Sequence, residues 1–216
     1  MKKNIAVILS GCGNKDGSEI TEAVSTLMAL AKEGAHYVCF APDQNFTAVD
    51  YLQNASIENR NAMKEAARIA RSEIRPLQKL DPQKFDGVVF VGGAGAVKNL
   101  SDWAHKGAKC TVLPEVEYII ESFHEEGKPI AAMCIAPTLV ARVLGRHGVS
   151  VTVGEAGEDA QEIEKTGAIH EVCPPEEYVS DRDHKVLSTP AYMYDSTAFE
   201  VFTGISKMIK EFVEMA

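Results

Sequence analysis

The thiol of Cys134 combines the residue type and the position in this sequence that are best suited to chemistry. It stands in the segment Ala131-Ala132-Met133-Cys134-Ile135-Ala136-Pro137, where an apolar run passes directly into an amphipathic stretch. A nucleophile on such a strand-to-helix turn has strained backbone geometry, and the residues two before and two after it must be small. Ala132 and Ala136 satisfy that demand, and the start of the following helix favours the thiolate. We interpret Cys134 as a nucleophile; the alternative is an inert buried cysteine.

The run Gly92-Gly93-Ala94-Gly95 ends another apolar segment. Glycines let backbone amides approach a ligand closely, so the amide of Gly93 is predicted to form an oxyanion hole with the amide of Ile135. A simple tight turn is the alternative. A phosphate-binding loop is disfavoured, because the sequence has neither Gly-x-Gly-x-x-Gly nor a Walker Lys-Ser/Thr here.

Three further side chains are candidates for the same site. Glu22 lies in the second turn of the first predicted helix; if the first strand neighbours the Cys134 strand, Glu22 would face the thiol as general acid or base with a raised pKa. A solvated helix glutamate is the alternative. Cys12 follows the first strand and Tyr192 follows the last, so both are expected to border the pocket, although Cys12 suits a packed loop thiol equally well.

The elements that would position these residues alternate between continuous apolar runs and amphipathic stretches. Strands are predicted at 5–9, 37–41, 87–91, 129–133, 149–153, 178–181 and 186–188, and helices at 18–32, 59–74, 115–125, 135–144, 157–165 and 197–215. This alternation predicts a mostly parallel α/β sheet covered on both faces. In such sheets function gathers in the loops beyond the carboxyl ends of the strands, where the candidates lie.

Composition limits the class of protein. A chain of 216 residues suits one domain, and a net charge of −9 without a Lys/Arg cluster argues against a nucleic-acid partner. No apolar run approaches the length of a membrane span, and the run at the N-terminus is too short for a signal peptide, so a cytoplasmic location is expected. The five cysteines include no Cys-x-x-Cys pair, which argues for free thiols and against a zinc site.

These segments together resemble the DJ-1/PfpI superfamily over nearly the whole chain. The residues that carry the resemblance are Ile5–Ser10, Glu22, Val88 to Gly93 followed by Asn99-Leu100, and Met133–Pro137. Further segments are similar to the ElbB branch, bacterial proteins linked to isoprenoid (lycopene) production and described as glyoxalases: Ser10–Gly13, Asp16–Glu19, Ala67–Arg71, Glu73–Pro76 and Thr189–Met193.

The resemblance implies a fold, an activity and residue roles. The fold is a flavodoxin-like three-layer α/β sandwich of the class I glutamine amidotransferase type, one domain over 1–216 with an extra helical insertion around 45–76, and dimeric. Cys134 takes the nucleophile position, Glu22 that of its carboxyl partner, and Gly93 and Ile135, next to Gly92, the oxyanion positions. The activity is a glyoxalase III-like lyase of the D-lactate dehydratase type, which converts methylglyoxal or glyoxal to hydroxy acids without glutathione, metal or organic cofactor.

The sequence departs from its relatives at the expected histidines. Many relatives place His in the loop after the strand that follows the elbow helix, where this chain has Gly154. The proteases carry His where this chain has Ile135, and residues 188–193 lack the His-x-Glu pair of the glutaminases, so both hydrolytic branches are disfavoured. The missing His keeps open a second hypothesis, a non-catalytic redox-sensing or regulatory protein that affects isoprenoid biosynthesis through an oxidisable cysteine. A third hypothesis, an amidotransferase-like or isoprenoid-pathway enzyme, is supported by the names of the family members alone.

Two further groups of side chains have open roles. Arg60, Asn61, Arg68 and Arg71 lie on the predicted insertion helix, where they either face solvent or cover the pocket and bind an anionic substrate. His170 is the histidine considered for the site, although a surface or capping role is the general expectation for the six histidines.

Overall fold

A computed structural model of the chain describes residues 2–216. Its strands are β1 (Asn4–Ile8), β2 (His36–Ala41), β3 (Asn45–Asp50), β4 (Ala55–Asn61), β5 (Ile74–Pro76), β6 (Gly87–Phe90), β7 (Ile130–Met133), β8 (Ser150–Val151), β9 (Ile169–His170), β10 (Val179–Asp181) and β11 (Val186–Thr189). Its α-helices are α1 (Ile20–Lys32), α2 (Ala62–Ile69), α3 (Ala94–Lys98), α4 (Trp103–Lys106), α5 (Pro114–Glu125), α6 (Pro137–Leu144), α7 (Glu158–Lys165) and α8 (Ala198–Met215).

Seven of these strands form one central sheet in the order β10-β11-β7-β6-β1-β2-β5. All neighbours are parallel except β10 and β11, which form an antiparallel pair. Every residue of β6 and β7 is buried, as expected for central parallel strands covered on both faces. One apolar layer packs the sheet against α5 and α6 and the other against α1 and α8, so the predicted three-layer α/β fold is confirmed.

The insertion at 45–76 is not the helical segment that the sequence predicts. A twisted hairpin of β3 and β4 occupies 45–61, and the helix α2 covers only 62–69. Asn54 takes a positive φ of 52° at the hairpin turn, and the Asn61 side chain accepts a hydrogen bond from Lys64 N, which starts α2 at this point. Arg71 and Ser72 also have positive φ, so the helix cannot continue to 74.

The strand predicted at 149–153 is also corrected. Only β8 is extended in this segment, and it pairs with β9 in a separate two-stranded ribbon outside the central sheet. Side chains replace the backbone ladder here: Ser150 N donates to Asp181 Oδ2 at 2.8 Å, and Thr152 N donates to Ser188 Oγ at 2.8 Å. The segment therefore runs alongside β10 and β11 without joining them.

The helix α8 closes one face of the sheet. It begins with a capping box in which Thr197 and Glu200 satisfy each other's backbone amides. Its buried face includes Val201, Ile205 and Phe212 and packs on α1 and the sheet. Among residues 2–216, no helix has both the length and the apolar character needed to cross a bilayer.

Candidate active site

Cys134 occupies a sharp turn between β7 and α6. Its φ is 59°, a left-handed conformation that non-glycine residues adopt at a cost of about 1–3 kcal/mol. Two hydrogen bonds hold the turn: Cys134 N donates to Thr189 O at 2.9 Å, and Ala136 N donates to Met133 O at 3.0 Å. The surrounding structure therefore imposes the conformation, as the nucleophile-turn interpretation requires. The side chain is almost buried, with 7% of the residue exposed.

The Glu22 side chain lies directly against Cys134. Glu22 is completely buried in the first turn of α1, and a Cβ placed on Gly92 would be 2.5 Å from its Oε2 and closer still to Cys134 Cβ. Both atoms therefore border the same small space beside Gly92, and the two side chains are neighbours. Tyr192 N donates to Oε1 at 3.4 Å, whereas Oε2 has no hydrogen-bond partner of regular geometry in the described part of the chain.

Sheet order corrects how Glu22 reaches the thiol. The sequence makes their contact conditional on β1 lying next to β7, but β6 lies between these two strands. The chain leaves β6 through Gly92, whose lack of a side chain leaves the space that the two groups share. The contact therefore depends on this glycine at the carboxyl end of β6.

Burial dominates the electrostatics of the pair. Burial, with a smaller contribution from the Glu19 charge, raises the pKa of Glu22 to about 8, against the lowering effect of hydrogen bonds from Cys134, Tyr192 and Gly92. Burial and the Glu22 charge also raise the pKa of the Cys134 thiol. The favourable effect that we expect from the helix start is therefore outweighed by burial in the free protein. Because the groups are coupled, the pair keeps both protons at neutral pH and releases the first near pH 8.

Two backbone amides point at the sulfur. Hydrogen bonds from the amides of Gly93 and Ile135 lower the pKa of Cys134 and so oppose the effect of burial. Gly93 has a φ of 92°, and a Cβ there would be 2.5 Å from Glu19 N, so the turn can approach α1 this closely only as glycine. The arrangement supplies two fixed donors where negative charge on sulfur, or on an oxygen bound next to it, would develop.

A buried polar network fixes the turn and has no assigned role in the sequence-based interpretation. Ser10 N donates to Ser18 Oγ at 2.8 Å, and Asn99 Nδ2 donates to the carbonyl oxygens of Ser10 and Asp16, each at 2.8 Å. These contacts tie the loop after β1 to α3, which follows Gly93 directly. The sequence signal for this network is the presence of polar residues directly after buried strands, because buried polar groups need hydrogen-bond partners.

Cys12 lies in a separate cavity rather than against the pair. This cavity, of about 270 Å³, is lined by Cys12, Gly13, Asp16, Ile20, Phe46, Val49, Tyr51, Arg60, Glu65 and Arg68. Glu65 Oε2 is 3.8 Å from Arg60 and 3.1 Å from Arg68, and Glu58 is 3.3 Å from Arg60. The carboxylates offset the arginine charges, which disfavours the predicted anion-binding role. Asn61 caps α2, and Arg71 lines a different cleft beside β2 and β5.

The position of the missing histidine is filled by an aromatic ring. Gly154 has a φ of 99°, and a Cβ there would be 2.8 Å from Tyr194 Cε2. The Tyr194 hydroxyl donates to Cys173 O at 2.9 Å, which holds the ring in place. His170 accepts a hydrogen bond from Val153 N at 3.2 Å and so belongs to the β8–β9 ribbon. Among residues 2–216, no group of three or more His, Cys, Asp or Glu is arranged to hold a metal ion.

The buried Glu22 predicts a specific pH dependence of stability. The pKa of Glu22 is raised from 4.5 to about 8 on folding, so the folded chain keeps a proton that the unfolded chain releases as pH rises. The free energy of unfolding should therefore fall between these pH values, by about 1.4 kcal/mol for each unit of raised pKa. Glu22→Gln lacks this effect, and in urea unfolding its stability relative to the parent should increase from pH 5 to pH 8. A difference that stays constant with pH would contradict the assignment.

Gly92 provides a steric prediction. Gly92→Ala places a methyl group against Cys134 and Glu22, so we expect a loss of about 1–3 kcal/mol in unfolding free energy and slower alkylation of Cys134. Gly157→Ala is the matched control, because a Cβ at Gly157 meets open space and its φ of −112° suits any residue. Equal stability and thiol reactivity in both variants would show that Gly92 does not shape the site.

Comparison with known proteins finds relatives that match nearly the whole chain. A family model described as the DJ-1/PfpI family matches residues 8–200. A human protein named glutamine amidotransferase-like class 1 domain-containing protein 3, mitochondrial, is 40% identical over 223 residues, which cover 98% of this chain and 82% of that protein. The zebrafish (Danio rerio) ES1 protein, mitochondrial, is 36% identical over 98% of this chain and 86% of its own length.

The comparisons also correct one expectation and bear on the fold. The predicted cytoplasmic location is contradicted by these curated relatives, which are named as mitochondrial proteins. A crystal structure from Ehrlichia chaffeensis, named an isoprenoid biosynthesis protein with amidotransferase-like domain, has a TM-score of 0.91 at 36% identity, covering 99% of this chain and all of the other. The match of the family model over most of the chain, together with these relatives, places the chain in the DJ-1/PfpI family.

Proposed function

We propose that this chain is a glyoxalase-type enzyme of the ElbB branch of the DJ-1/PfpI family. It converts small 2-oxoaldehydes, such as methylglyoxal and glyoxal, to hydroxy acids without glutathione. The observation that carries the proposal is a buried thiol, on a strained turn, in contact with a buried carboxyl group whose pKa is raised to about 8. A carboxyl group with a pKa near the working pH is suited to moving protons in both directions.

The proposed reaction begins with covalent capture of the aldehyde. The Cys134 sulfur forms a bond to the aldehyde carbon, and the π electrons of the carbonyl move to its oxygen, which takes up a proton to give a hemithioacetal. The thiol proton passes to the Glu22 carboxylate, which is present in the form of the pair that has lost one proton. Glu22 then gives this proton to the former aldehyde oxygen and is a carboxylate again. The amides of Gly93 and Ile135 stabilise the negative charge that develops during this addition.

Proton transfer then interconverts the oxidation states of the two carbons. Glu22 removes the proton from the former aldehyde carbon and gives it to the oxygen of the neighbouring carbonyl group, which forms an enediol. It then takes the hydroxyl proton of the first carbon and gives a proton to the neighbouring carbon. The first carbon is thereby oxidised to a thioester while the second is reduced to an alcohol, so no external redox partner is needed. Water hydrolyses the thioester, releases the hydroxy acid and restores the thiol. The Tyr192 amide orients the Glu22 carboxyl through Oε1 during both transfers.

Branch membership and assembly form part of the same proposal. The Ehrlichia relative is named an isoprenoid biosynthesis protein, which supports the ElbB assignment and a link to isoprenoid metabolism. A homodimer is supported by Ile20, Val24 and Met28, which recur every four residues on α1 and are 47%, 42% and 56% exposed. Such an apolar stripe is typical of an interaction surface, and here it lies on the helix that carries Glu22.

Lactate formation from methylglyoxal tests the reaction. Cys134→Ala should abolish turnover, because no covalent adduct forms, and Glu22→Gln should lower kcat by about 100-fold or more, because the proton carrier is lost. Cys39→Ala is the matched control: Cys39 is a buried thiol in β2 with no role in the site, so its activity should be retained. Unchanged lactate production by Cys134→Ala would refute the proposed mechanism.

The second candidate is a redox sensor or regulatory protein. It is favoured by Gly154, which leaves the site without the histidine that many relatives use, and by the amides of Gly93 and Ile135, which would stabilise negative charge on an oxidising sulfur. In this reading a peroxide oxidises Cys134 first to the sulfenic acid and then, with a second peroxide, to the sulfinic acid, with one water released each time. The protonated Glu22 carboxyl would donate a hydrogen bond to the sulfinate.

Mass spectrometry after mild treatment with hydrogen peroxide tests the sensor. If the protein is a sensor, the mass increase of two oxygens should appear at Cys134 well before Cys39 or Cys110 is modified, because Cys134 is 7% exposed against 2% and 1% and receives hydrogen bonds from the amides of Gly93 and Ile135. Glu22→Gln should slow the step to sulfinic acid. Equal oxidation of all three cysteines would exclude a sensor role for Cys134.

A further inference from the structure

Glu19 touches two parts of the site at once, although it takes no part in the reaction described above. It is the N-cap residue of α1, with φ −66° and ψ 128°, and its Oε2 accepts a hydrogen bond from Glu22 N at 2.7 Å. Its own amide donates to Gly92 O at 3.0 Å. One residue thereby connects the turn after β6 to the first turn of the helix that carries the site carboxyl.

The residue type at this cap is unusual. Ser, Thr, Asp and Asn are the preferred N-cap residues, and any of them would satisfy the free amides of the first turn. Glu19 instead brings a second carboxylate, half buried, three residues from the fully buried Glu22. Two carboxylates so close together resist being ionised at the same time. A carboxylate is favourable at a helix N-terminus, but here its charge also acts on the buried carboxyl group of Glu22.

We propose that Glu19 is a positioning residue of this site, whose backbone amide and carboxylate fix the Gly92 turn and the first turn of α1, and whose negative charge keeps the protons on the Cys134–Glu22 pair. The inference rests on the proposed use of that pair as nucleophile and proton carrier. In this role Glu19 sets the pH at which the Cys134–Glu22 pair loses its first proton and becomes reactive.

The groups that face Glu22 act on its pKa in opposite directions: the Glu19 charge raises it, and the hydrogen bonds that Glu22 accepts lower it. From its own helix Glu19 raises the pKa of Glu22, and from the β7–α6 turn the Cys134 thiol donates to it; the remaining contacts are the amides of Gly92 and Tyr192. Burial raises the pKa of Glu19, and hydrogen bonds from the amides at the start of α1 favour its ionised form and oppose that effect. Removing the Glu19 charge should therefore let the pair lose its first proton at lower pH, whichever of the two groups releases it.

The pH profile of Cys134 alkylation by iodoacetamide, followed by mass spectrometry at that residue, tests this role. In Glu19→Gln and Glu19→Ser, which keep a capping oxygen without the charge, the midpoint of the profile should move to lower pH by about one unit. Glu19→Asp keeps both cap and charge and should leave the midpoint in place. Glu33→Gln, at the opposite end of α1, is the matched control for loss of one carboxylate.

A purely structural role makes a different prediction. It would lower the urea midpoint of unfolding in the neutral variants without moving the alkylation profile, and that result would overturn the proposal. The serine variant keeps the test valid if the glutamine variant does not fold, because serine is a preferred cap. Alkylation needs no substrate turnover: a shifted profile in a protein that makes no lactate would support the role of Glu19 while refuting the glyoxalase reaction.

Discussion

Glu22 is a fully buried carboxyl group with one oxygen that no regular hydrogen-bond donor reaches, placed against a buried thiol. An ionised carboxylate in that environment would be strongly destabilising, so the group keeps its proton to about pH 8. The proton in turn gives Oε2 the means to donate to sulfur. The turns around this pair must therefore approach Glu22 and Cys134 closely, and at the nearest positions there is no room for a side chain.

Glycines and backbone groups meet that requirement. Gly92 passes beside Glu22 and Cys134 without a side chain, and Gly93 presents its amide to the sulfur. Polar contacts of Ser10, Ser18 and Asn99 hold the loop after β1 against this turn. Cys134 itself is held at positive φ by a hydrogen bond to the carbonyl of Thr189, the last residue of β11. The site is thus assembled from four strand ends, those of β1, β6, β7 and β11, at one edge of the sheet, as the doubly wound topology dictates.

The predictable parts of this protein were those governed by local pattern. Continuous apolar runs located β1, β6 and β7, and the small residues around Cys134 located the turn, because burial and crowding act on neighbours in sequence. The hairpin at 45–61 was missed because its strands are polar and its turn depends on Asn54 in a left-handed conformation. The raised thiol pKa was missed because it depends on the burial of groups distant in sequence, which no local motif encodes. Glu22 is indicated by its apolar neighbours, but the strand order that brings it to Cys134, with β6 between β1 and β7, is not encoded locally.

The central claim is that Glu22 and Cys134 form a buried pair that holds an extra proton at neutral pH. A ¹³C NMR titration of the Glu22 side-chain carboxyl, with its resonance assigned by its loss in Glu22→Gln, measures this directly. The account predicts a titration midpoint at about pH 8. A midpoint near 4.5, the ordinary value for a glutamate, would contradict it.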